Sequence, residues 1–485
     1  MPLMSTTGSH APGQSIDRIP PFDIFIFHWA FDIHGHSDFE KQGNLQNLHG
    51  IALSSAPRHR SLNRLRARQV IRWTALLIIL LVGMVPVSDA QTPVVIGVAT
   101  STTTLEGRES LMAAQLAVEE INQGGGVRLN SQAVPLKIEI LDLKDAAPQV
   151  NAETALKQLE TFLNTRPVRA VLIGPFRSEV LLPAMDVIAK HQIPMIETIA
   201  MTPAMESKVL NTPAYRFLFR TGLNTRYLAD ALIGSMRFLK KRYDFQRVYL
   251  MIQDVAWARS TASLILKLYF KRGGWEILGI RHYPYETIDF GTGLQEATQK
   301  GAQVILPIFD TPHSGQLVIQ WKTRQTPGLL CGFISPMMGP GAWNHFNGQI
   351  SGALNIIFEL GNIPSKKFPP ATRFYNAFSR RYGRQIEAGH GPAPTYEAVY
   401  LLARAIEKTG SLDPDQLVLA LEKGNHSGAM GRMDFNKGHQ VIFGTSPENA
   451  AVACLIQWQK PGRRVIVYPP ALAEGEIKLP ASLER

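Results

Sequence analysis

From residue 93 onward the chain alternates short apolar strands with amphipathic helices, and this alternation restricts the fold more than any other feature. PVVIGVAT (93–100) is a Val/Ile-rich run of the kind buried on both faces of a parallel sheet. ESLMAAQLAVEEINQ (109–123) places apolar residues at Leu111, Leu116, Val118 and Ile121 and stops at Gly124-Gly125-Gly126, the pattern of a glycine-terminated helix. LKIEILDL (136–143), VRAVLIG (168–174) and IPMIETIA (193–200) read as strands. NAETALKQLETFL (151–163) and SEVLLPAMDVIAKH (178–191) read as the intervening helices, the second opened by Ser178. Strand and helix in strict alternation predict a doubly wound parallel sheet.

The rhythm then restarts. NTRYLADALIGSMRFLKKR (224–242) and RSTASLILKLYFKRGG (259–274) are predicted helices. RVYLMIQD (247–254), WEILGIRHY (275–283), AQVILPIF (302–309), LLCGFI (329–334) and ALNIIF (353–358) are predicted strands, with GTGLQEATQKG (291–301) a helix among them. A second α/β unit is the simplest account. Three helical stretches follow at 368–383, 395–410 and 413–424. A hairpin turn at 433–439, a strand at 451–458 and an irregular Pro-rich tail complete the chain. The halves echo each other in pattern and not in sequence.

Ahead of this region lies a leader. Arg58, Arg60, Arg64, Arg66, Arg68 and Arg72 form a basic cluster, and WTALLIILLVGMVPVS (73–88) is uncharged and mostly apolar. Ser88-Asp89-Ala90 then offers small residues at the two positions a signal peptidase reads, so cleavage is expected before Gln91, with export to the periplasm. The run, interrupted by Gly83 and Pro86, is short for a hydrocarbon core of about 30 Å. Residues 1–60 form an unusual extension, and the reading preferred here is that translation starts near Leu62, Leu65 or Val70.

Few residues carry chemistry. The chain lacks G-x-S-x-G, G-x-x-x-x-G-K-[ST] and H-E-x-x-H, so neither an enzyme nor a metal site is expected, and no cofactor. His282 and His313 lack partners at metal-ligand spacing, and Cys331 and Cys454 read as buried small hydrophobes. The formal charge of +11 is spread along the chain without a basic block, which argues against a nucleic-acid partner. The informative residues are small polar groups where strands meet helices, because ligands bind at the carboxyl edge of an open parallel sheet. Ser101–Thr104, Gly174–Ser178 and Thr198–Pro203 all fall at one such edge. Ser178 can cap its helix or meet an anion with its hydroxyl and the neighbouring amides.

Together AVEEINQGGGV (117–127), LDLKDAAPQ (141–149), IGPFRSE (173–179), IPMIETIAMTP (193–203), YRFLFRTG (215–222), YEAVYLLARAIEKTGSLD (396–413) and GRMDFNKG (431–438) resemble the type I periplasmic binding proteins, in particular the leucine/isoleucine/valine-binding branch that serves ABC importers. The resemblance covers roughly 93–440 and implies an α/β fold of two doubly wound parallel-sheet lobes joined by a three-strand hinge. Lobe one is expected at 91–221 and 362–442, and lobe two at 223–358 and 445–485. Crossovers are expected near Arg220–Asn224, Phe358–Pro364 and Val441–Thr445.

The resemblance further implies a carboxylate grip from Ser178, Ala200 and the hydroxyls of Thr198 and Thr202, with Met201 where the family has a threonine. The second lobe would contribute Asp310, Thr311 and Ser335. Ser335-Pro336 stands where the family has its ammonium-binding acid, so Asp310, Glu197 or Asp254 replaces it, or the ligand carries no ammonium. The function implied is a monomeric solute-binding component of an ABC importer, partnered by its permease and ATPase. It would capture an amino acid or small carboxylate by hinge closure. A periplasmic sensor signalling to a separate membrane partner is the alternative.

Overall fold

The computed structural model describes residues 91–147 and 149–483. The leader, its basic cluster and the extension at 1–60 lie outside the described residues.

The chain opens with β1 (Val94–Thr100), α1 (Leu105–Gln123), a hairpin of β2 (Val127–Leu129) and β3 (Gln132–Val134), and β4 (Leu136–Asp142). It continues through α2 (Ala152–Thr165), β5 (Val168–Ile173), α3 (Ser178–His191), β6 (Met195–Glu197), α4 (Ala204–Asn211) and β7 (Leu218–Arg220). Five of these strands form a sheet in the order β4-β1-β5-β6-β7, parallel throughout. Local chemistry sets the helix limits. The Thr104 hydroxyl accepts the Gly107 N–H at 3.0 Å to start α1. Gly125 and Gly126 end it at φ of 102° and 83°, backbone that a side chain would strain.

The second run comprises α5 (Thr225–Tyr243), β8 (Arg247–Gln253), α6 (Ala256–Ile265), β9 (Glu276–Tyr283), α7 (Gly291–Gln299) and β10 (Val304–Phe309). It continues with α8 (Gly315–Thr323), β11 (Leu329–Ile334), α9 (Ala342–His345) and β12 (Leu354–Ile357). Then come α10 (Pro369–Tyr382), α11 (Pro392–Thr409), α12 (Pro414–Glu422), β13 (His426–Gly428), β14 (Gly431–Met433), β15 (Phe443–Gly444), β16 (Ala451–Val452), β17 (Cys454–Gln459) and β18 (Arg463–Tyr468). The second sheet runs β18-β17-β12-β11-β10-β8-β9. It is parallel from β9 to β12 and antiparallel where β17 and β18 extend it.

Each sheet has its own buried core. Ile96, Val98, Leu172, Met185, Phe219 and Leu402 pack in the first. Leu250, Ile252, Phe309, Leu330, Ile356 and Trp458 pack in the second. The chain passes from the first core to the second between Phe219 and Leu223, returns between Ala371 and Phe374, and leaves again between Ala451 and Val452. Cys331 and Cys454 are buried and unpaired in the second core, where burial pushes both thiols up.

Several elements depart from the sequence expectation, among them the strand expected at 451–458, which divides into β16 and β17 in different sheets. The tail is not irregular: Val465, Ile466 and Val467 form the centre of β18, which pairs with β17. The flanking Pro461, Pro469 and Pro470 masked a strand whose partner lies next to it. The β2–β3 hairpin turns at Asn130 and Ser131, both at positive φ, a turn not anticipated from Asn-Ser. β6 ends at Glu197, so Thr198–Ala200, expected as the end of the strand, is loop.

The second core centres on Trp458, which is fully buried and donates its Nε1–H to the Met337 carbonyl at 3.0 Å. Trp458→Ala should lower the unfolding free energy by about 3–5 kcal/mol in a denaturant titration, from lost burial and the residual cavity.

Candidate functional site

A cavity of about 470 Å³ lies between the two sheets. Its walls come from the carboxyl ends of strands in both: Phe176–Glu179 after β5, Ile199–Pro203 after β6, Val255–Trp257 after β8, Asp310 after β10 and Ser335 after β11. This is the edge at which open parallel sheets bind ligands. Ser178, Ala200, Thr202, Asp310 and Ser335 line the cavity. Thr198 and Thr311 are enclosed behind its wall. The Thr198 hydroxyl pairs with that of Thr395 at 2.8 Å. The Thr311 hydroxyl accepts the His313 N–H at 3.3 Å.

Ser178 does not cap its helix. Arg177 is the N-cap residue of α3 and makes no side-chain cap, so Ser178 occupies the first turn, half-buried, with its hydroxyl free of protein partners. The Val180 N–H donates to the Arg177 carbonyl at 3.0 Å, and the Ser178 and Glu179 amides before it have no protein acceptor, which leaves this end of α3 suited to a negative group. Asp145 holds the junction in place. One of its oxygens accepts the Ser101 hydroxyl at 2.8 Å and the other the Arg177 N–H at 3.0 Å.

The loop after β6 behaves differently. Glu197 is fully buried and its Oε1 accepts the N–H groups of Thr198, Ile199 and Ala200 at 3.1, 2.8 and 2.8 Å. Burial pushes this carboxyl up to about 8, against the pull of those amides and of the Arg220 guanidinium. The second oxygen lies where a Cβ on Gly174 would fall, so residue 174 must stay small. Glu197, considered above as an ammonium partner, therefore sits behind the wall and occupies the loop's amides itself. Asp254, the third acid considered, is paired with Arg259 at 2.5 Å and lies outside the lining.

Asp310 is open to the cavity. Its carboxylate accepts the Gln253 amide and the Trp257 indole N–H, each at 2.7 Å. The Gln253 carbonyl in turn accepts the backbone N–H groups of Asp310 and Thr311 at 2.8 and 3.0 Å. Protein packed on the remaining sides raises the carboxyl above its usual range, and the two hydrogen bonds only partly offset this. Glu106, in the first turn of α1, also lines the cavity. Its carboxyl is raised by burial first, and Asp310 adds to the rise.

Trp257, Phe333, Phe358 and His390 form a continuous aromatic series along the cavity. Ring centroids are 5.9 Å apart from Trp257 to Phe333, 4.5 Å from Phe333 to Phe358 and 5.1 Å from Phe358 to His390. His390 bonds the Glu359 carboxylate through Nδ1 and the Ile199 carbonyl through Nε2, both at 2.7 Å. Burial opposes charge on this imidazole, but Glu359 and the Ile199 carbonyl outweigh it and its pKa is raised. Sequence reasoning missed Glu106, Trp257, Phe333, Phe358 and His390. The edge rule could have found Trp257, which follows β8 as Asp310 follows β10. His390 sits in a loop with no periodic signal.

A family model described as periplasmic binding protein matches residues 93–446. The chain belongs to the periplasmic binding protein family. Among relatives, the Leu/Ile/Val-binding protein homolog 8 of Brucella abortus is 24% identical over 387 residues, which span 77% of this chain and 89% of the relative. The substrate-binding protein LivJ of a branched-chain amino acid transporter from Streptococcus pneumoniae, solved with isoleucine, aligns with a TM-score of 0.61 at 18% identity, covering 77% of this chain and 98% of its own. An ABC transporter substrate-binding protein from Desulfitobacterium hafniense, solved with leucine, aligns with a TM-score of 0.60 at 21% identity, covering 77% and 100%. These likenesses establish the two-lobed periplasmic binding protein fold for this chain. Among the described residues no helix is long and apolar enough to cross a membrane.

The His390–Glu359 contact predicts a signed pH effect. The folded pKa of His390 lies above its unfolded value of about 6.5, so the pair's stabilisation is complete below that pH and is lost as pH rises through the folded value. His390→Gln should cost roughly 1.5–3 kcal/mol at low pH, as expected for a hydrogen bond to a charged group, and progressively less at alkaline pH. Thermal unfolding of both proteins across that range measures the difference.

Proposed function

We propose that this chain is the solute-binding component of an ABC importer, exported to the periplasm by cleavage before Gln91, and that it captures an amino acid or a related small solute by closing its two lobes. The observation that carries this reading is the cavity itself. It lies at the carboxyl edges of two separate sheets, and the two cores exchange chain only at three narrow passages. A wall split between two bodies lets a ligand bind the closed arrangement better than the open one, and that difference drives closure. The relatives solved with isoleucine and leucine support a solute of that size.

In this reading Ser178 and the first-turn amides of α3 receive an anionic group, and Asp310, steered by Gln253 and Trp257, receives an ammonium. Ala200, Thr202 and Ser335 complete the lining, while Thr198 and Thr311 hold it from behind. Permease and ATPase subunits are the partners, and the capturing unit is a monomer. The lobes already meet at one exposed point, where the Glu387 carboxylate accepts the Gly341 N–H at 3.0 Å.

Small-angle scattering tests the closure. The radius of gyration should shrink when a bound solute saturates the protein, and an unchanged radius at saturation would contradict the capture reading. Amino-terminal sequencing of the exported protein should begin at Gln91. Retention of Trp73–Val87 in the membrane fraction would contradict export by cleavage.

A further inference from the structure

The charges around the cavity are unequal. Glu106, Glu179 and Asp310 bring three carboxylates to its lining, against the guanidinium of Arg177 and the imidazole of His390. His390 is matched by the fully buried Glu359. Arg177 is engaged through Nη2 with the Val150 carbonyl at 2.6 Å. Among the described residues neither Glu106 nor Asp310 forms an ion pair, and Glu106 meets Arg108 and His390 only as longer-range charges. The two carboxylates belong to different lobes, Glu106 to the helix after β1 and Asp310 to the turn after β10, and Asp310 adds to the cost of charging Glu106. A cation between them relieves both.

The anion-receiving side is correspondingly reduced. Three consecutive amides at the sheet edge, those of Thr198, Ile199 and Ala200, converge on one acceptor, and that acceptor is the chain's own Glu197. Such a convergent set of N–H groups is a ready anion site when open. Here a ligand carboxylate is left with the hydroxyls of the lining, Ser178 at the end of α3 among them, and with Arg177, which is already bonded to the Val150 carbonyl and stands beside the exposed carboxylate of Glu179. The body of the cavity adds the aromatic rings of Trp257, Phe333 and Phe358, whose faces attract a cation and pack an apolar chain.

We infer that the cavity selects an amine: its positive group sits between Glu106 and Asp310, its apolar body lies along Trp257, Phe333 and Phe358, and an α-carboxylate contributes little to its capture. This inference rests on the solute-capture reading above and narrows it. Glu106, which belongs to lobe one, and Asp310, which belongs to lobe two, are then joined through the ligand, so the same cation that is recognised also holds the lobes together.

Calorimetry on the full exported chain, dialysed free of co-purifying solute, tests this with two matched trios. One is phenylalanine, 2-phenylethylamine and 3-phenylpropanoate; the other is leucine, isopentylamine and 4-methylpentanoate. In at least one trio the amine should bind about as tightly as the amino acid, and the acid at least roughly tenfold more weakly than either, the worth of one charged hydrogen bond. Asp310→Asn and Glu106→Gln should each weaken the amine by roughly tenfold or more while the melting temperature stays near that of the parent. The proposal is overturned if the deaminated acid binds most tightly, if the amino acid binds at least roughly a hundredfold tighter than its amine, if both substitutions leave amine affinity unchanged, or if none of the six binds. A co-purifying anionic solute that shrinks the radius of gyration would also overturn the amine assignment and would leave solute capture standing. Absence of any closure would remove the capture reading itself.

Discussion

The structure turns on one buried carboxylate at the point where the lobes join. Glu359 is fully buried just beyond β12 and accepts the Leu223 N–H at 3.0 Å, the Asn362 amide at 2.9 Å and the His390 ring at 2.7 Å. Leu223 belongs to the first passage between the cores, Glu359 and Asn362 to the segment after β12 that precedes the second, and His390 to the loop between α10 and α11. A carboxylate removed from water is tolerated only when donors surround it. The donors here come from three chain segments far apart in sequence, so satisfying one buried charge fixes the relation of those segments. His390 then extends the same network to the Ile199 carbonyl on the cavity wall. The joint and the site are therefore one hydrogen-bonded unit.

A second buried carboxylate does comparable work within lobe one. Glu197 ends β6 and turns back on the loop that follows, ordering Thr198, Ile199 and Ala200 by their amides. Arg220 stands close by, wholly buried, with Glu206 at 3.1 Å and the Thr202 carbonyl at 2.8 Å as its partners. Burial lowers the Arg220 pKa, and the two glutamates counter it. Arg220 also bridges to Gln440 on the returning chain. The loop is thus shaped by internal charges and needs no ligand to set its form, which suits a rigid wall against which another body closes.

Much of the fold was legible in the sequence because it depends on local periodicity. Apolar runs such as 93–100 and 302–309 mark parallel strands whatever their neighbours. β18 was hidden by its prolines, and β7 is three residues long and takes its strand form from its partner β6. The site was legible only as far as position along the chain predicts place. Residues that follow strands, Ser178, Ala200, Thr202, Asp310 and Ser335, reach the cavity because the sheet edge puts them there. Thr198 follows a strand too, yet faces inward, since Glu197 claims the turn. Side-chain direction within a loop depends on contacts made from distant segments, Thr395 in this instance, and no spacing rule encodes it.

The two buried carboxylates and the two lining ones divide the labour by their degree of satisfaction. Glu359 is surrounded by donors, and Glu197 holds three amides on one oxygen while its other oxygen, packed against Gly174, has no hydrogen-bond partner. Asp310 has two neutral donors and an open face, and Glu106 has no hydrogen-bonding side-chain partner at all among the described residues. A partly desolvated carboxylate with an open face keeps room for a charged partner that a fully bonded one lacks. In the amine-capture reading, placing Glu106 and Asp310 on separate lobes lets one cation serve both as the lobes close on it. Glu359 and Glu197 are fully buried and bonded to donors of the protein itself, whereas Asp310 is exposed to the cavity and Glu106 half-buried, so depth as well as bonding separates the acids that hold structure from those we infer to meet the ligand.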